Sequence, residues 1–275
     1  MPRERSRHDT DRKSITIDQL DVLLVEPSTT QQRIIGDYLA GFGVKALSCV
    51  RDGASALSRM EGAPPDLAIS AMHLPDMTGT DLIRTMRSSE RLRDIAFMLI
   101  SSETDIRYLE PLRQAGVIAI LPKPFEAQQL QRSLYTTLDF LEPDTLNLRH
   151  YTPDELRVLI VDDSTTSRHF VRQVLERMGI EQFSEAADGR AAQRMIDREF
   201  FDLIVTDYHM PEMDGKELIA YIRAQSTQPS VPVLMVTGES DCNRLAALEQ
   251  SGVSAIFDKP FDVDTLRTVI EKALV

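Results

Sequence analysis

Five polar residues in the second half of the chain stand at the ends of short apolar runs: Asp162, Asp163, Asp207, Thr237 and Lys259. Clustered carboxylates repel one another unless a cation lies between them, and an all-oxygen site of this kind suits Mg²⁺. A lysine adds a positive charge and a threonine adds a hydroxyl donor, so the set could stabilise a phosphoryl group in transfer. In that chemistry Asp207 would act as the nucleophile and form an acyl phosphate.

Whether these side chains meet depends on the elements that carry them. Short apolar runs predict strands at 158–161, 183–186, 203–206, 233–236 and 255–257. Amphipathic stretches predict helices near 170–178 and at 189–198, 215–224, 242–250 and 263–274. Five strand–helix units predict a parallel sheet with both faces covered, and the carboxyl ends of its strands face one crevice. Ordinary loop residues would account for any one of the five polar groups, but poorly for all of them.

The same pattern occurs twice, at a constant offset of 136 residues (Lys259 minus Lys123). Repeated positions include Ser28 and Ser164, Asp52 and Asp188, Asp66 and Asp202, Gly79 and Gly215, and Lys123-Pro124-Phe125 and Lys259-Pro260-Phe261. No insertion or deletion is needed between these points. The chain is therefore a tandem duplication of one fold.

The duplication predicts two domains. We expect a disordered basic tail over 1–18, a first domain over 19–141, a linker over 142–156 and a second domain over 157–275. The tail has almost no apolar residues to bury. Pro143 and Pro153 interrupt helical periodicity in the linker.

A leucine stripe ends the first domain: Leu130, Leu134, Leu138 and Leu141. Such a stripe is more often part of a core than a coiled-coil seam. A homodimer formed through it is the alternative.

Composition limits the classes of partner. The chain has 275 residues and a net charge of -12, so we expect no nucleic-acid binding. Its apolar runs are too short to cross a bilayer and its first residues lack a signal-peptide core, so we expect a cytoplasmic location without membrane association. Cys49 and Cys242 are the two cysteines, and neither has metal-ligand spacing.

The ordered set in the second copy resembles the response-regulator receiver domain of two-component signalling. The matching residues are Asp162-Asp163, the run from Asp207 to Pro211, Gly215, Thr237 and Lys259-Pro260. The resemblance covers about 157–275, and in sequence pattern the first copy as well. It implies an α/β, flavodoxin-like fold in each copy, with five parallel strands in the order 2-1-3-4-5.

The resemblance also implies roles for the site residues. A histidine kinase or a histidine phosphotransfer protein would donate the phosphoryl group to Asp207. Asp163, Asp207 and the main-chain carbonyl of His209 would bind Mg²⁺, with Asp162 acting partly through water. The threonine and the lysine of the set would contact the phosphoryl oxygens.

The second copy departs from the family pattern three residues before the lysine. Receivers often carry Tyr or Phe there as a rotamer switch, whereas this chain has Ile256. Phe257 is adjacent, but neighbouring residues of a strand point to opposite faces. We therefore expect a conformational change to travel through Thr237 and the following loop. The side chain of His209 is expected to face solvent, with a general base as the alternative.

The first copy lacks the residues that this chemistry needs. Subtracting the offset gives Ala71 for the nucleophile, Glu26 and Pro27 for the aspartate pair, Ser101 for the threonine and a retained Lys123. A methyl group cannot accept a phosphoryl group, and neither Ser70 nor Asp76 is expected to substitute. We expect Glu26 and Lys123 to pair directly, leaving this copy metal-free. It resembles the family's pseudo-receivers, which serve as docking or dimerisation modules.

The preferred function is a response regulator without a DNA-binding output domain, since the chain ends after the second receiver. Its signal would pass to an unidentified downstream protein through the face around 242–274. A phosphorelay intermediate or phosphate sink is the alternative within signalling. We expect no enzyme activity beyond the chain's own phosphorylation and dephosphorylation. An aspartyl-phosphate phosphatase of the haloacid-dehalogenase type would need a second Asp where this chain has His209. A purely structural scaffold is the last alternative.

Overall fold

The computed structural model describes residues 15–102, 111–148, 151–237 and 253–274. The first half contains β1 Asp21–Val25, α1 Thr29–Gly41, β2 Ala46–Val50, α2 Gly53–Gly62, β3 Leu67–Ala71, α3 Gly79–Ser88, β4 Ala96–Ser101, β5 Ala119–Pro122 and α4 Ala127–Leu141. The second half contains β6 Arg157–Val161, α5 Thr165–Arg177, β7 Gln182–Ala186, α6 Gly189–Ile196, β8 Leu203–Thr206, α7 Gly215–Gln225, β9 Val233–Thr237, β10 Ala255–Asp258 and α8 Val263–Ala273. None of the helices in these ranges combines the length and apolarity of a membrane span.

The strands form two parallel sheets, which confirms the predicted fold. Each sheet has five strands, in the orders β2-β1-β3-β4-β5 and β10-β9-β8-β6-β7. In the second sheet β6 pairs with β8 in a register that sets Val161 opposite Thr206. The residues that follow these two strands therefore start at the same level of the sheet edge.

Polar caps determine where the helices begin. Asp52 Oδ1 accepts from Ser55 N at 2.8 Å, and Asp188 Oδ1 accepts from Ala191 N at 2.7 Å. Such a cap contributes about 1 kcal/mol. Because equivalent caps recur in both halves, the connections from strand to helix are alike in both sheets.

Apolar clusters cover the faces of each sheet, and one cluster runs through both halves of the chain. Leu130 and Leu134 of α4 are fully buried in it, which confirms the core interpretation for these two leucines. The rings of Phe140 and Phe170 stack within it, with centroids 5.5 Å apart. The two halves are therefore packed together, while a homodimer stays a prediction.

The described chain starts with a short ordered turn inside the segment that was expected to be a tail. A 3-10 turn spans Ile17–Gln19, and Ile17 packs against the shared apolar cluster. Ile15 N donates to Glu142 Oε2 at 2.6 Å. The expectation of disorder is thus corrected for 15–18, because Ile15 and Ile17 have apolar surface to pack against. Residues 1–14, and the predicted helix at 242–250, lie outside the described residues.

Candidate functional site

The carboxyl edge of the second sheet gathers four of the five predicted residues. Asp162 follows β6, Asp207 follows β8, Thr237 ends β9 and Lys259 follows β10. All four are between 2% and 4% exposed. Lys259 N donates to Thr237 O at 2.7 Å, which joins the ends of two neighbouring strands. Asp163, the fifth residue, is exposed.

The ammonium of Lys259 lies between the two buried aspartates. Its Nζ is 2.9 Å from Asp162 Oδ2 and 3.1 Å from Asp207 Oδ1. It also donates to Ser167 Oγ at 2.7 Å. One cation therefore offsets part of the charge of both carboxylates, and a cluster with two ionised aspartates keeps a net negative charge.

The first turn of α5 holds Asp162 in place. Asp162 Oδ1 accepts from Ser164 N at 2.8 Å, and Oδ2 accepts from Ser167 Oγ at 2.5 Å. Ser167 was not predicted from the sequence, where a serine within a helix gives no sign that it faces a charged site. Its hydroxyl bonds both Asp162 and Lys259, so α5 contributes directly to the site.

The pKa of the Asp207 carboxyl is shifted by its surroundings. Desolvation raises the pKa of this carboxyl from 3.8 to about 6, although Lys259 pulls the pKa down. The neighbouring Asp162 raises the pKa further, and the bond from His209 N to Asp207 Oδ2, 2.8 Å long, lowers it. A carboxylate in this environment gains from any additional cation.

Lys259 stays protonated despite its burial. Desolvation by itself lowers the pKa of its ammonium, but Asp162 and Asp207 outweigh that effect and raise the pKa above the ordinary value. The site therefore carries a fixed positive charge beside the candidate nucleophile.

Gly215 allows α7 to approach the strand end that carries Asp207. A Cβ at this position would lie 2.3 Å from the main-chain oxygen of Asp207. Gly215 N donates to Tyr208 O at 2.9 Å. A side chain here would have to displace the backbone of Asp207 itself.

The two buried carboxylates are the kind of oxygen ligand that magnesium takes in proteins. Asp162 and Asp207 are oxygen donors that face a common cation, and Mg²⁺ in proteins is usually held by one or two carboxylates together with waters. Within the described ranges no three His, Cys, Asp or Glu side chains form a complete metal-binding group. Asp162 and Asp207 share the ammonium of Lys259, whereas Asp163 is exposed to solvent.

Two smaller predictions about side-chain direction are confirmed. Ile256 packs against the apolar cluster that contains Ile204, whereas Phe257 lies in the cluster on the opposite face of the sheet. The residue His209 is exposed. No aromatic side chain therefore occupies the switch position.

The first half shows the predicted ion pair in place of this site. Lys123 Nζ lies 2.9 Å from Glu26 Oε2, which confirms their direct pairing. Ala71 stands where the second half has its candidate nucleophile, and Pro27 offers no side-chain ligand. Ser101 is buried at the end of β4. One lysine and one glutamate thus balance each other without a second carboxylate.

Ser70 and Asp76 have structural partners. Ser70 Oγ donates to Ala71 O at 2.9 Å and is buried. Asp76 accepts from Gly53 N and Ala54 N, each at 2.8 Å, at the start of α2. These bonds lower the pKa of Asp76, with the one from Gly53 contributing most. Both side chains therefore serve local structure.

A residue of the first half also reaches the site in the second half. Gln114 Oε1 lies 3.0 Å from Lys259 Nζ. Gln114 belongs to the connection between β4 and β5 and carries no motif. The sequence holds no signal for this contact, because it depends on how the two halves pack.

Comparisons with known proteins agree with this architecture. The profile described as "Response regulator receiver domain" matches residues 22–135 and 158–271. Chemotaxis protein CheY-3 of Vibrio cholerae is 38% identical over 117 residues, which cover 42% of this chain and 90% of that protein. Chemotaxis protein CheY of Pseudomonas aeruginosa is also 38% identical over 117 residues, covering 42% of this chain and 94% of that protein.

A solved structure of the chemotaxis response regulator CheY4 of Vibrio cholerae is 34% identical, covers 43% of this chain and 98% of that chain, and has a TM-score of 0.40. The two segments that match the profile together make up most of the chain. Each contains one of the two five-stranded parallel sheets. The chain therefore belongs to the response regulator receiver family and carries two receiver domains in tandem.

Proposed function

We propose that the chain is a response regulator whose second receiver, residues 157–275, accepts a phosphoryl group on Asp207. The donor is the phosphohistidine of a histidine kinase or a histidine phosphotransfer protein. The observation that carries the proposal is the buried contact of Lys259 with both Asp207 and Asp162. A carboxylate that serves only stability gains little from a buried site of this kind.

The proposed transfer is a displacement at phosphorus. A carboxylate oxygen of Asp207 attacks the phosphorus, the phosphorus–nitrogen bond of phosphohistidine breaks, and its electron pair stays on the imidazole nitrogen. Lys259 Nζ lies 3.1 Å from Asp207 Oδ1. Its ammonium can therefore contact a phosphoryl oxygen on Asp207 with little rearrangement and stabilise the negative charge there. Thr237 ends β9, which lies between the strands that precede Asp207 and Lys259, and supplies a hydroxyl for another phosphoryl oxygen.

Magnesium is part of the proposal. When bound, Mg²⁺ would neutralise charge on the phosphoryl group, and its ligands would be Asp162, Asp163, Asp207 and the main-chain carbonyl of His209. In the metal-free protein Lys259 offsets only part of the carboxylate charge. Loss of phosphorylation on chelation of the metal is therefore expected.

The first receiver, residues 19–141, has no part in the covalent step. Ala71 has no nucleophilic atom, and Lys123 is already paired with Glu26. We assign this receiver a role in protein contact, and the whole chain passes its signal to a downstream protein. The chain acts on no substrate other than its own Asp207, which it phosphorylates and dephosphorylates.

The test is phosphorylation of the purified full chain by acetyl phosphate with Mg²⁺, followed by intact mass. The wild type should gain one phosphate per chain and Asp207→Asn should gain none. Asp76→Asn is the matched control in the first receiver and should still gain one. Phosphate retained by Asp207→Asn, or absent from the wild type, would overturn the proposal.

A further inference from the structure

Lys259 has more acceptors around it than it has protons to donate. Its Nζ contacts two carboxylates, the hydroxyl of Ser167 and, from the first receiver, Gln114 Oε1 at 3.0 Å. An ammonium has three protons, so four acceptors must share them. An oxygen that arrives with a phosphoryl group can bond Lys259 only if an existing acceptor gives way.

The acceptors differ in how they are held. Asp162 and Ser167 are fixed to the second receiver by bonds within the first turn of α5. Asp207 is the residue that would carry the phosphoryl group. Gln114 comes from the other receiver, so a rigid-body shift between the receivers can withdraw it without changing either fold.

The same helix that supports the site also forms the contact between the receivers. Ser167 of α5 faces Lys259, and further along this helix His169 Nε2 lies 2.7 Å from Asp94 Oδ1. A Cβ at Gly116, two residues after Gln114, would lie 2.6 Å from Phe170. The connection that carries Gln114 is thus packed closely against α5.

We propose that Gln114 of the first receiver is a positioning residue that competes with the phosphoryl group for Lys259. The first receiver, which has no phosphoacceptor, thereby restrains phosphorylation of Asp207 in the second. The inference rests on the proposed function of Asp207. Coupling of this kind is reciprocal: if docking of the first receiver disfavours phosphorylation, phosphorylation disfavours docking by the same factor.

The test compares phosphorylation rates of full-length variants with acetyl phosphate and saturating Mg²⁺. Gln114→Leu keeps a similar size and removes the acceptor, so we expect phosphorylation about 10-fold faster, as for loss of one charge-assisted hydrogen bond. Gln114→Glu provides a charged acceptor and should be slower than the wild type. A Gln114→Leu variant that is as slow as the wild type, or slower, would show that Gln114 supports Lys259 or is inert, and would overturn the inference.

Gln173→Leu is the matched control. Gln173 Nε2 lies 3.4 Å from Asp94 O, so this variant makes the same substitution between the receivers without touching Lys259. Its rate should stay near that of the wild type. Equal acceleration in both Leu variants would mean that any loosening between the receivers suffices, and would remove the special role of Gln114.

A second measurement follows the distance between the receivers, by energy transfer between one label on each. Phosphorylation should separate the labels in the wild type and leave them unchanged in Asp207→Asn. Thermal melting checks that every variant is folded. If the wild type takes no phosphate, the proposed function fails. If it takes phosphate but the labels stay together and the Gln114 variants match the wild type, this inference alone fails.

Discussion

For single residues, burial makes Asp207 costly to the resting protein. Desolvation raises the pKa of its carboxyl from 3.8 to about 6, so at neutral pH folding must bury a charged carboxylate in surroundings that disfavour the charge. The partial charge balance from Lys259 does not cancel this cost. The residue proposed to carry the chemistry therefore destabilises the metal-free fold.

The pH dependence of this cost can be predicted. A carboxyl whose pKa is higher in the folded state contributes stability below its unfolded pKa, and that contribution is lost as pH rises through about 6. Asn resembles the uncharged form, so Asp207→Asn should stabilise the metal-free chain at pH 7.5 by up to about 3 kcal/mol. The gain should shrink towards pH 4. Denaturant unfolding in EDTA across this pH range measures it.

Asp163→Asn is the control for that prediction. Its side chain is exposed, so the same substitution one position after Asp162 should leave the metal-free stability unchanged. A gain for Asp207→Asn that does not vary between pH 4 and 7.5 would argue against a buried charge as its cause.

Sequence reasoning identified some site residues and missed others for a physical reason. Asp162, Asp207 and Lys259 follow apolar strands in a parallel sheet, and that position alone brings them together. Ser167 reaches the same point from inside α5, where sequence shows a helical position but not which neighbour it faces. Gln114 depends on packing between two domains, which no local pattern encodes.

For the elements, the duplication separates residues that serve the fold from residues that serve chemistry. Asp66 Oδ2 accepts from Asp21 N at 2.8 Å, and its counterpart Asp202 accepts from Arg157 N at 2.9 Å. Each bond holds the start of the first strand of its sheet. Because these aspartates occur in both receivers, they are needed for the fold, whereas Asp207 occurs only where the chemistry is proposed.

The repeated glycine at the start of the third helix of each receiver belongs to the first group. A Cβ at Gly79 would lie 2.9 Å from Ala71 O, as the one at Gly215 would lie 2.3 Å from Asp207 O. Since Gly79 persists beside an alanine, close packing of helix on strand is its purpose. In the second receiver the same packing places the backbone of the candidate nucleophile.

Gly215→Ala should therefore disturb both fold and function. Overpacking against Asp207 O should cost about 1–3 kcal/mol of the free energy of unfolding. Displacement of the aspartate should slow its phosphorylation on the order of 10- to 100-fold. Thermal unfolding and the acetyl phosphate assay measure the two effects.

Gly41→Ala is the matched control, because a Cβ at Gly41, the last residue of α1, would meet no atom within 4 Å. It should be neutral or stabilise the chain by about 0.5–1 kcal/mol. If both alanine variants lost the same stability and phosphorylation rate, the close contact at Gly215 could not be the cause of the loss.

The elements themselves were predictable because buried parallel strands are continuous apolar runs. All five predicted strands of the second receiver occur, and their observed ends differ from the prediction by no more than one residue. Helix ends were less certain: α6 ends at Ile196 rather than 198, where Asp197 lies beyond the last helical turn. Propensity identifies the helix, but the cap sets its end.

For the whole molecule, the packing of the two receivers could not be read from the sequence. Phe140 and Phe170 look like core residues of their own domains, yet their rings stack on each other across the receivers, 5.5 Å apart. Apolar periodicity shows that a face is buried and leaves open what covers it. The shared cluster makes the pair of receivers one packed unit.

Arg177 of α5 provides a test of that unit. Its guanidinium lies 4.5 Å from the centroid of the Phe140 ring, and its Nη1 donates to Phe140 O at 2.7 Å. Arg177→Ala removes both interactions and should weaken the contact between the receivers by about 1–3 kcal/mol. Hydrogen exchange should then become faster in the linker and at the end of α4, while the strands of both sheets keep their protection.

Arg194→Ala, on the exposed side of α6, should leave exchange unchanged. Slow exchange in the linker of Arg177→Ala, as in the wild type, would mean that the apolar cluster alone holds the receivers together.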